Sequence, residues 1–306
     1  MRAFVTGATG YIGSHLMRAL RRAGHQAVGL ARSREKADRL RIEGAEWVIG
    51  DLKDPGSYHE AAATCEGIVH AAAEYGPEYV PRDRQAIDGL VEAARDKGPR
   101  VLVYTSGVWV LGVTGDRVAD ESAPLDRPAA AVAWRTGHER LALEAATDLL
   151  RTAVVRPGMV YGGGEGILSR FFKEASLVGD GTNRWSGVHV DDLADLYIRL
   201  LELAWSEPMD RLSPLERIFH AADGSADRVE DIVRAANLAA GLDDAVRRQP
   251  VEEARQKIGG MADALVMDQV VAAPRSEKVL GWRPRFRGFA NNAAELYEEW
   301  KRAQGS

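Results

Sequence analysis

The chain has a single cysteine, Cys65, among 306 residues. One thiol excludes an internal disulfide and any cysteine-built metal site, and no metal is expected. No apolar run approaches the roughly 20 residues that cross a bilayer. Met1 is followed almost at once by a strand pattern rather than a charged leader and apolar core, so no membrane partner and a cytoplasmic location are expected. Positive charge is not in excess either. The 40 Lys and Arg stand against 45 Asp and Glu, net −5, with both signs interspersed. A nucleic-acid partner would call for a basic face. Internal repeats, low-complexity tracts and charge blocks are absent as well. The length suffices to bury a substantial core, as one large or two modest domains.

What the chain does have is glycine at a telling spacing. An apolar strand, Ala3-Phe4-Val5, runs into Thr6-Gly7-Ala8-Thr9-Gly10-Tyr11-Ile12-Gly13 and then a helical stretch from Ser14 to Arg22. Gly7 allows a tight exit from the strand, and Gly10 lets main-chain N–H groups approach a pyrophosphate. Gly13 lets the next helix press on the sheet with its positive N-terminal end toward the phosphates. A strand before, a helix after and a place at the start of a βαβ unit predict a dinucleotide site at Gly7, Thr9, Gly10, Tyr11, Ile12 and Gly13.

The second strand, Ala27 to Leu30, closes on Ala31-Arg32-Ser33-Arg34. An acidic residue there would accept bonds from the adenosine ribose and repel a 2′-phosphate. Arg32, Ser33 and Arg34 instead suit a 2′-phosphate, since arginine is a planar, permanently charged fork of donors. NADP is the cofactor this pattern favours, with NAD the alternative. The competing view is that both arginines are solvated charges at a helix start.

A helix over 35–43 and a third strand, Glu46 to Ile49, lead to Gly50-Asp51-Leu52. Asp51 either contacts the adenine amino group or caps the helix beginning near Pro55. The fourth strand, Gly67 to His70, ends in Ala71-Ala72-Ala73, small residues that let a cofactor lie flat against the backbone. His70 is expected to be buried and hydrogen-bonded. A helix over 83–97, a strand over 100–105, a loop over 113–130 along the sheet's carboxyl edge, a helix over 133–150 and a strand over 152–156 follow. This alternation predicts an α/β fold, a Rossmann-type doubly wound parallel sheet with right-handed crossovers.

Several of these stretches together resemble the extended short-chain dehydrogenase/reductases, the group of NAD(P)-dependent epimerases, dehydratases and reductases. They are the glycine turn, Gly50-Asp51-Leu52, His70-Ala71-Ala72 and Val155-Arg156-Pro157-Gly158-Met159-Val160-Tyr161-Gly162, joined by Val188-His189-Val190-Asp191-Asp192-Leu193-Ala194 and Leu280-Gly281-Trp282-Arg283-Pro284. The resemblance covers most of the chain in order. It implies a dinucleotide-binding domain over 1–155 and a smaller, mainly substrate-binding portion over 156–304, with segments returning to the core. It adds Leu52, Ala71, Ala72, Thr105, Pro157 and Gly158 to the cofactor contacts. Asp191 or Asp192 is explained as a helix N-cap. Helices such as 83–97 and 133–150 often pair across a dimer axis in this group, which implies a homodimer.

The group works through Ser/Thr, Tyr and Lys: the Tyr exchanges a proton with the substrate oxygen while hydride moves to or from the nicotinamide. Here all three positions are altered. Aligned on Ala133-Trp134-Arg135-Thr136-Gly137-His138, Trp134 takes the Tyr place and His138 the Lys place, on one helix face. An indole N–H donates but has no acid–base equilibrium near neutrality. Counting back from Gly112 puts Gly107 at the Ser/Thr place, with Thr105 and Ser106 just ahead.

Two accounts follow. In one, the protein is an NADP-dependent oxidoreductase, a carbonyl/alcohol reductase or epimerase-like enzyme, with a rebuilt proton-transfer set. His138 brings an imidazole, the side-chain type suited to proton exchange near neutrality, Tyr161 brings a phenol, Ser106 replaces the missing hydroxyl and Arg135 polarises an oxygen, with Glu74 and Tyr75 nearby. His138 also suits a role on the ribose hydroxyls. In the other account, redox chemistry is lost and NADP binding serves a regulatory or non-redox role.

Beyond Ala194 a helix is expected to about Trp205, then a break, a strand at Ile218-Phe219-His220-Ala221-Ala222, a helix over 228–241 and a last helix over 290–302 carrying Leu296, Tyr297 and Trp300 on a docking face. Phe171, Phe172, Trp185 and Met267 are either core or an apolar pocket lining. With Arg170, Lys173 and Arg184 as its only cations, the 165–190 stretch favours a small organic or aromatic carbonyl compound over a nucleotide sugar.

Overall fold

A computed structural model describes residues 1–39, 42–73, 78–95, 100–206, 213–243 and 245–305. The glycine-turn half runs β1 (Arg2–Thr6), α1 (Tyr11–Arg22), β2 (Gln26–Ala31), α2 (Arg34–Arg39), β3 (Glu46–Ile49), α3 (His59–Ala63), β4 (Gly67–His70), α4 (Tyr79–Arg95), β5 (Arg100–Thr105), α5 (Arg135–Glu144) and β6 (Leu150–Pro157). There follow β7 (Met159–Tyr161), β8 (Ser176–Val178), β9 (Arg184–Trp185), β10 (Gly187–His189), α6 (Val190–Ser206) and β11 (Ile218–Ala221). The chain ends with β12 (Asp227–Arg228), α7 (Val229–Ala240), β13 (Arg247–Gln249), α8 (Val251–Ile258), α9 (Met261–Leu265), α10 (Pro274–Leu280) and α11 (Phe289–Gln304).

Seven strands form one sheet in the order β11-β6-β5-β4-β1-β2-β3, and the pairings from β6 across to β3 are parallel. The chain starts in the middle, winds to one edge and returns to build the other: this is the Rossmann-type doubly wound α/β fold. Its inner strands β4 and β5 are buried at every position. That is what a parallel sheet covered on both faces requires, and why these strands read as unbroken apolar runs. Helix α1 turns Leu16, Met17, Ala19 and Leu20 inward, a stripe at helical spacing.

The chain divides into two compact units, one of residues 1–106, 134–155 and 194–219, the other of 107–133, 156–193 and 220–306. In the first unit Phe4, Tyr58, Ile68, Leu90, Leu102 and Leu150 share a core. In the second, Phe171, Phe172, Trp185, Ile232, Phe289 and Leu296 do. Phe171, Phe172 and Trp185 are thus core residues, at most 4% exposed, and the pocket alternative falls away for them.

Several boundaries move for physical reasons. Helix α4 starts at Tyr79, ahead of the expected 83, because Pro81 fits a first helical turn where no N–H partner is lost. Helix α5 stops at Glu144, well short of 150. The Thr147 hydroxyl accepts the backbone N–H groups of Leu149 and Leu150 and closes a turn there. Strand β6 then begins at Leu150 rather than 152. Helix α6 begins at Val190, so neither Asp191 nor Asp192 is its N-cap. The His189 Nδ1 instead accepts the Asp191 N–H at 3.2 Å. The buried Asp192 carboxylate takes the N–H groups of Arg285 and Phe286 at 2.9 and 3.0 Å and Arg285 Nε at 2.9 Å. It anchors a distant segment.

Candidate active site

The turn after β1 is tight enough to exclude side chains. Gly7 has φ +68°, and a Cβ there would stand 2.6 Å from the Ala72 Cα, so the end of β4 lies directly against it. A Cβ on Gly13 would run into the Gly7 carbonyl. The Gly10 N–H donates to the Gly7 carbonyl at 2.8 Å, and the Ser14 N–H donates to the Gly10 carbonyl at 2.9 Å as α1 begins. No side chain caps α1. A turn packed backbone against backbone at Gly7 and Gly13, opening on a helix start without a side-chain cap, fits a diphosphate held by main-chain donors. Thr9, Tyr11 and Ile12 are half-buried around it.

At the end of β2, Arg32 and Arg34 are exposed and Ser33 is half-buried. The Ser33 hydroxyl accepts the Lys36 N–H at 3.3 Å, so it also supports the start of α2. Asp51 closes a turn on itself: Oδ1 accepts the Lys53 N–H at 3.0 Å. The residue before the short helical turn at Pro55–Ser57 is Asp54, which corrects the capping alternative for Asp51. Leu52 packs against the first unit's core. Glu74 and Tyr75 lie outside the described residues.

A buried polar cluster sits in the same unit. His138 comes from α5, and its Nδ1 lies 2.6 Å from Asp83 Oδ2. Asp83, on α4 and fully buried, also receives Tyr104 from β5 on Oδ2 at 2.9 Å. On Oδ1 it meets Tyr79 at 2.7 Å and His70 Nε2, from β4, at 3.2 Å. His70 is 1% exposed, and its Nδ1 meets the Thr6 hydroxyl at 2.6 Å. Burial by itself raises the Asp83 pKa, but hydrogen bonds from His138, His70 and Tyr79 outweigh it, holding the carboxyl well below the usual range. Burial and the Asp83 charge push the Tyr79 and Tyr104 phenols above the ordinary tyrosine value.

Trp134, four residues before His138, meets it edge-on at 4.9 Å and 70° and meets Tyr79 at 5.7 Å. The Arg135 guanidinium lies 4.6 Å from the Trp134 ring centroid and donates to the Thr105 carbonyl at 3.1 Å and the Tyr104 hydroxyl at 3.4 Å. The Thr105 hydroxyl is engaged with Tyr197 at 2.7 Å. The Ser106 hydroxyl, by contrast, is buried and has no hydrogen-bond partner among the described residues, which leaves it able to meet a ligand oxygen.

Gly107, Pro157, Gly158 and Tyr161 belong to the second unit. The Gly158 N–H donates to the Ala221 carbonyl at 2.8 Å. Tyr161 is fully buried. Its hydroxyl donates to Asp223 Oδ2 at 2.6 Å, and its ring is edge-on to His189 and Phe289. Burial and the Asp223 charge push its phenol up, away from proton exchange near neutrality. Its hydroxyl is thus already engaged within its own unit, which weighs against the acid role expected for it. Sequence reasoning missed Asp83, whose one signal was Tyr79 four residues earlier on the same helix face.

Sheet order and glycine turn are those of the Rossmann class of α/β proteins. Residues 3–209 match the model of the NAD dependent epimerase/dehydratase family, and the chain belongs to that family. It is therefore an extended short-chain dehydrogenase/reductase. An uncharacterised protein of Schizosaccharomyces pombe is 30% identical over 296 residues, 93% of this chain and 95% of that protein. The 2-alkyl-3-oxoalkanoate reductase of Stenotrophomonas maltophilia is 30% identical over 216 residues, 63% of each. Among solved structures, MoeE5 in complex with UDP-glucose and NAD superposes with TM-score 0.79 at 26% identity, covering 100% of both chains.

Among the described residues no group of three or more His, Cys, Asp or Glu is disposed to hold a metal. No helix among them is long and apolar enough to cross a membrane.

Proposed function

We propose that this protein is an NADP-dependent oxidoreductase acting on the carbonyl or alcohol group of a small organic compound. The observation that carries this reading is the turn from Thr6 to Gly13, closed to side chains at 7 and 13 and leading into a helix start without a side-chain cap. Its main-chain N–H groups hold the diphosphate. Arg32, Ser33 and Arg34 hold the 2′-phosphate. Ala71 and Ala72 leave room beside Gly7, Asp51 and Leu52 serve the adenine end, and Thr105 serves the nicotinamide end. When bound, the dinucleotide supplies or accepts the hydride.

The chain's own residues handle the proton. Ser106 Oγ donates to the substrate oxygen, and His138 gives or takes a proton through Nε2, replacing the work of the Tyr and Lys. Trp134 walls the site and carries no proton.

The cations of the 165–190 stretch favour a small substrate. Arg184 is bound by Asp268 through Nε at 2.9 Å and Nη2 at 2.6 Å. Arg170 lies over the Phe171 ring and Lys173 over Trp300. With all three engaged, a nucleotide sugar's diphosphate finds poor purchase. The reductase name of the Stenotrophomonas relative agrees with this.

The test is NADPH oxidation followed at its absorbance against a panel of ketones, aldehydes and quinones. Turnover that His138→Gln lowers by about 100-fold or more supports the reading. Turnover that is indifferent to His138, or NADPH binding with no turnover on any member, counts against it.

A further inference from the structure

The Asp83 carboxylate has no counterpart in the reading above, which needs only that His138 exchange a proton. We propose that Asp83 is the positioning residue for His138: it fixes the imidazole as the Nδ1–H tautomer, so that Nε2 carries the lone pair that exchanges with substrate. This rests on the proton-transfer role given to His138.

Every hydrogen on this carboxylate has an identifiable owner. An ionised carboxylate only accepts, so each group on it must bring its own hydrogen. His138 reaches it through Nδ1 and His70 through Nε2. One fully buried carboxylate therefore sets two imidazoles in opposite tautomers. His70, carrying its hydrogen on Nε2, accepts the Thr6 hydroxyl on Nδ1, so that bond is satisfied as well. Tyr104 donates to Asp83 Oδ2 and in turn accepts from Arg135. The Tyr79 hydroxyl has one hydrogen and two acceptors, Asp83 Oδ1 at 2.7 Å and the Ala72 carbonyl at 2.6 Å. The groups on Asp83 are thus His70 from β4, Tyr79 from its own helix, Tyr104 from β5 and His138 from α5, with Arg135 behind Tyr104.

Two arms of this cluster end beside the glycine turn. Thr6 is the residue before Gly7, and Ala72 is the residue on which Gly7 rests. Asp83 thereby ties the orientation of His138 to the segment that frames the cofactor turn. A carboxylate holding one imidazole nitrogen so that the other works on substrate is a recurring arrangement in proton-transfer sites. Here it substitutes for a Tyr/Lys pair on a fold that ordinarily uses one.

The test is long-range proton–nitrogen NMR on protein with ¹⁵N-labelled imidazoles, recorded on the alkaline side of the imidazole titration. The His138 signal is assigned by its loss in His138→Gln and its proximity to the Trp134 indole. A protonated Nδ1 with a pyridine-like Nε2 is expected in the wild type, and Asp83→Asn is expected to abolish the single tautomer while NADPH still binds. With 9,10-phenanthrenequinone as the probe, the same variant lowers kcat by about 100-fold or more. An Nε2–H tautomer in the wild type overturns the inference, with or without a well-folded Asp83→Asn. So does a folded Asp83→Asn with unchanged tautomer and kcat. Wild-type protein that binds NADPH but turns over no carbonyl strikes the reading of the previous subsection, whereas a wrong tautomer strikes this one.

Discussion

His138 and Asp83 meet at 2.6 Å between Nδ1 and Oδ2 although 55 positions separate them in the chain. Helix α5 presents the imidazole and helix α4 the carboxylate, both inside the unit that carries the glycine turn.

Removing that carboxylate has a large structural cost. Asp83→Ala strands the hydrogens of His70, Tyr104 and His138 in a buried site, which is expected to destabilise the fold by about 3–5 kcal/mol in urea titrations. The pH dependence follows from the depressed carboxyl. In the folded state it stays ionised below the ordinary aspartate value of about 4, so its contribution is complete above that pH and drains away as pH falls beneath it. Stability curves for wild type and Asp83→Asn converge on acidification. Parallel curves contradict the assignment.

His220 shifts stability in the same sense, lost as pH falls, but over a higher window. Burial, helped by the nearby Arg156 charge, pushes its pKa down to about 3 from 6.5. Above 6.5 neither the folded nor the unfolded state carries the proton. Between 6.5 and about 3 only the unfolded chain takes it up, so wild-type stability falls by roughly 1.4 kcal/mol per pH unit over that window. Calorimetric melts of His220→Gln lack that slope relative to wild type.

The glycine turn predicts a sharp response to a single methyl group. Gly7→Ala places Cβ against the Ala72 backbone at φ +68°, where an L side chain costs about 1–2 kcal/mol before any clash. The variant is expected to lose the thermal stabilisation that NADPH confers on the wild type. An intact NADPH-dependent rise in Tm contradicts the cradle.

Tyr161→Phe separates structure from chemistry. It removes the bond to Asp223, and a loss of about 1–2 kcal/mol in stability is expected. NADPH oxidation at saturating substrate stays within about two-fold of wild type, because a phenol raised by burial is no acid at neutral pH.

The parts legible in the sequence were those whose cause is local. Strand, glycine turn and helix over 2–22 are read from neighbouring residues, and the Trp134–His138 face follows from the helical repeat. Asp83 drew no reading of its own and Asp192 read as a helix N-cap, because what sets their roles is pairing with residues 55 and 93 positions away. The early end of α5 was hidden for a smaller reason: a single threonine hydroxyl competes with the helix for backbone donors. Tyr161 looks chemical in its motif, and only the fold reveals that Asp223 already holds its hydroxyl.

The most direct measurement is calorimetric titration of the purified protein with NADPH and with NADH, repeated on Arg32→Ala/Arg34→Ala. Binding of NADPH about 10-fold or more tighter than NADH, with that preference removed in the double variant, is what the account predicts. No heat with either dinucleotide would contradict it at its root. Equal or tighter binding of NADH would overturn the 2′-phosphate assignment while leaving the turn in place.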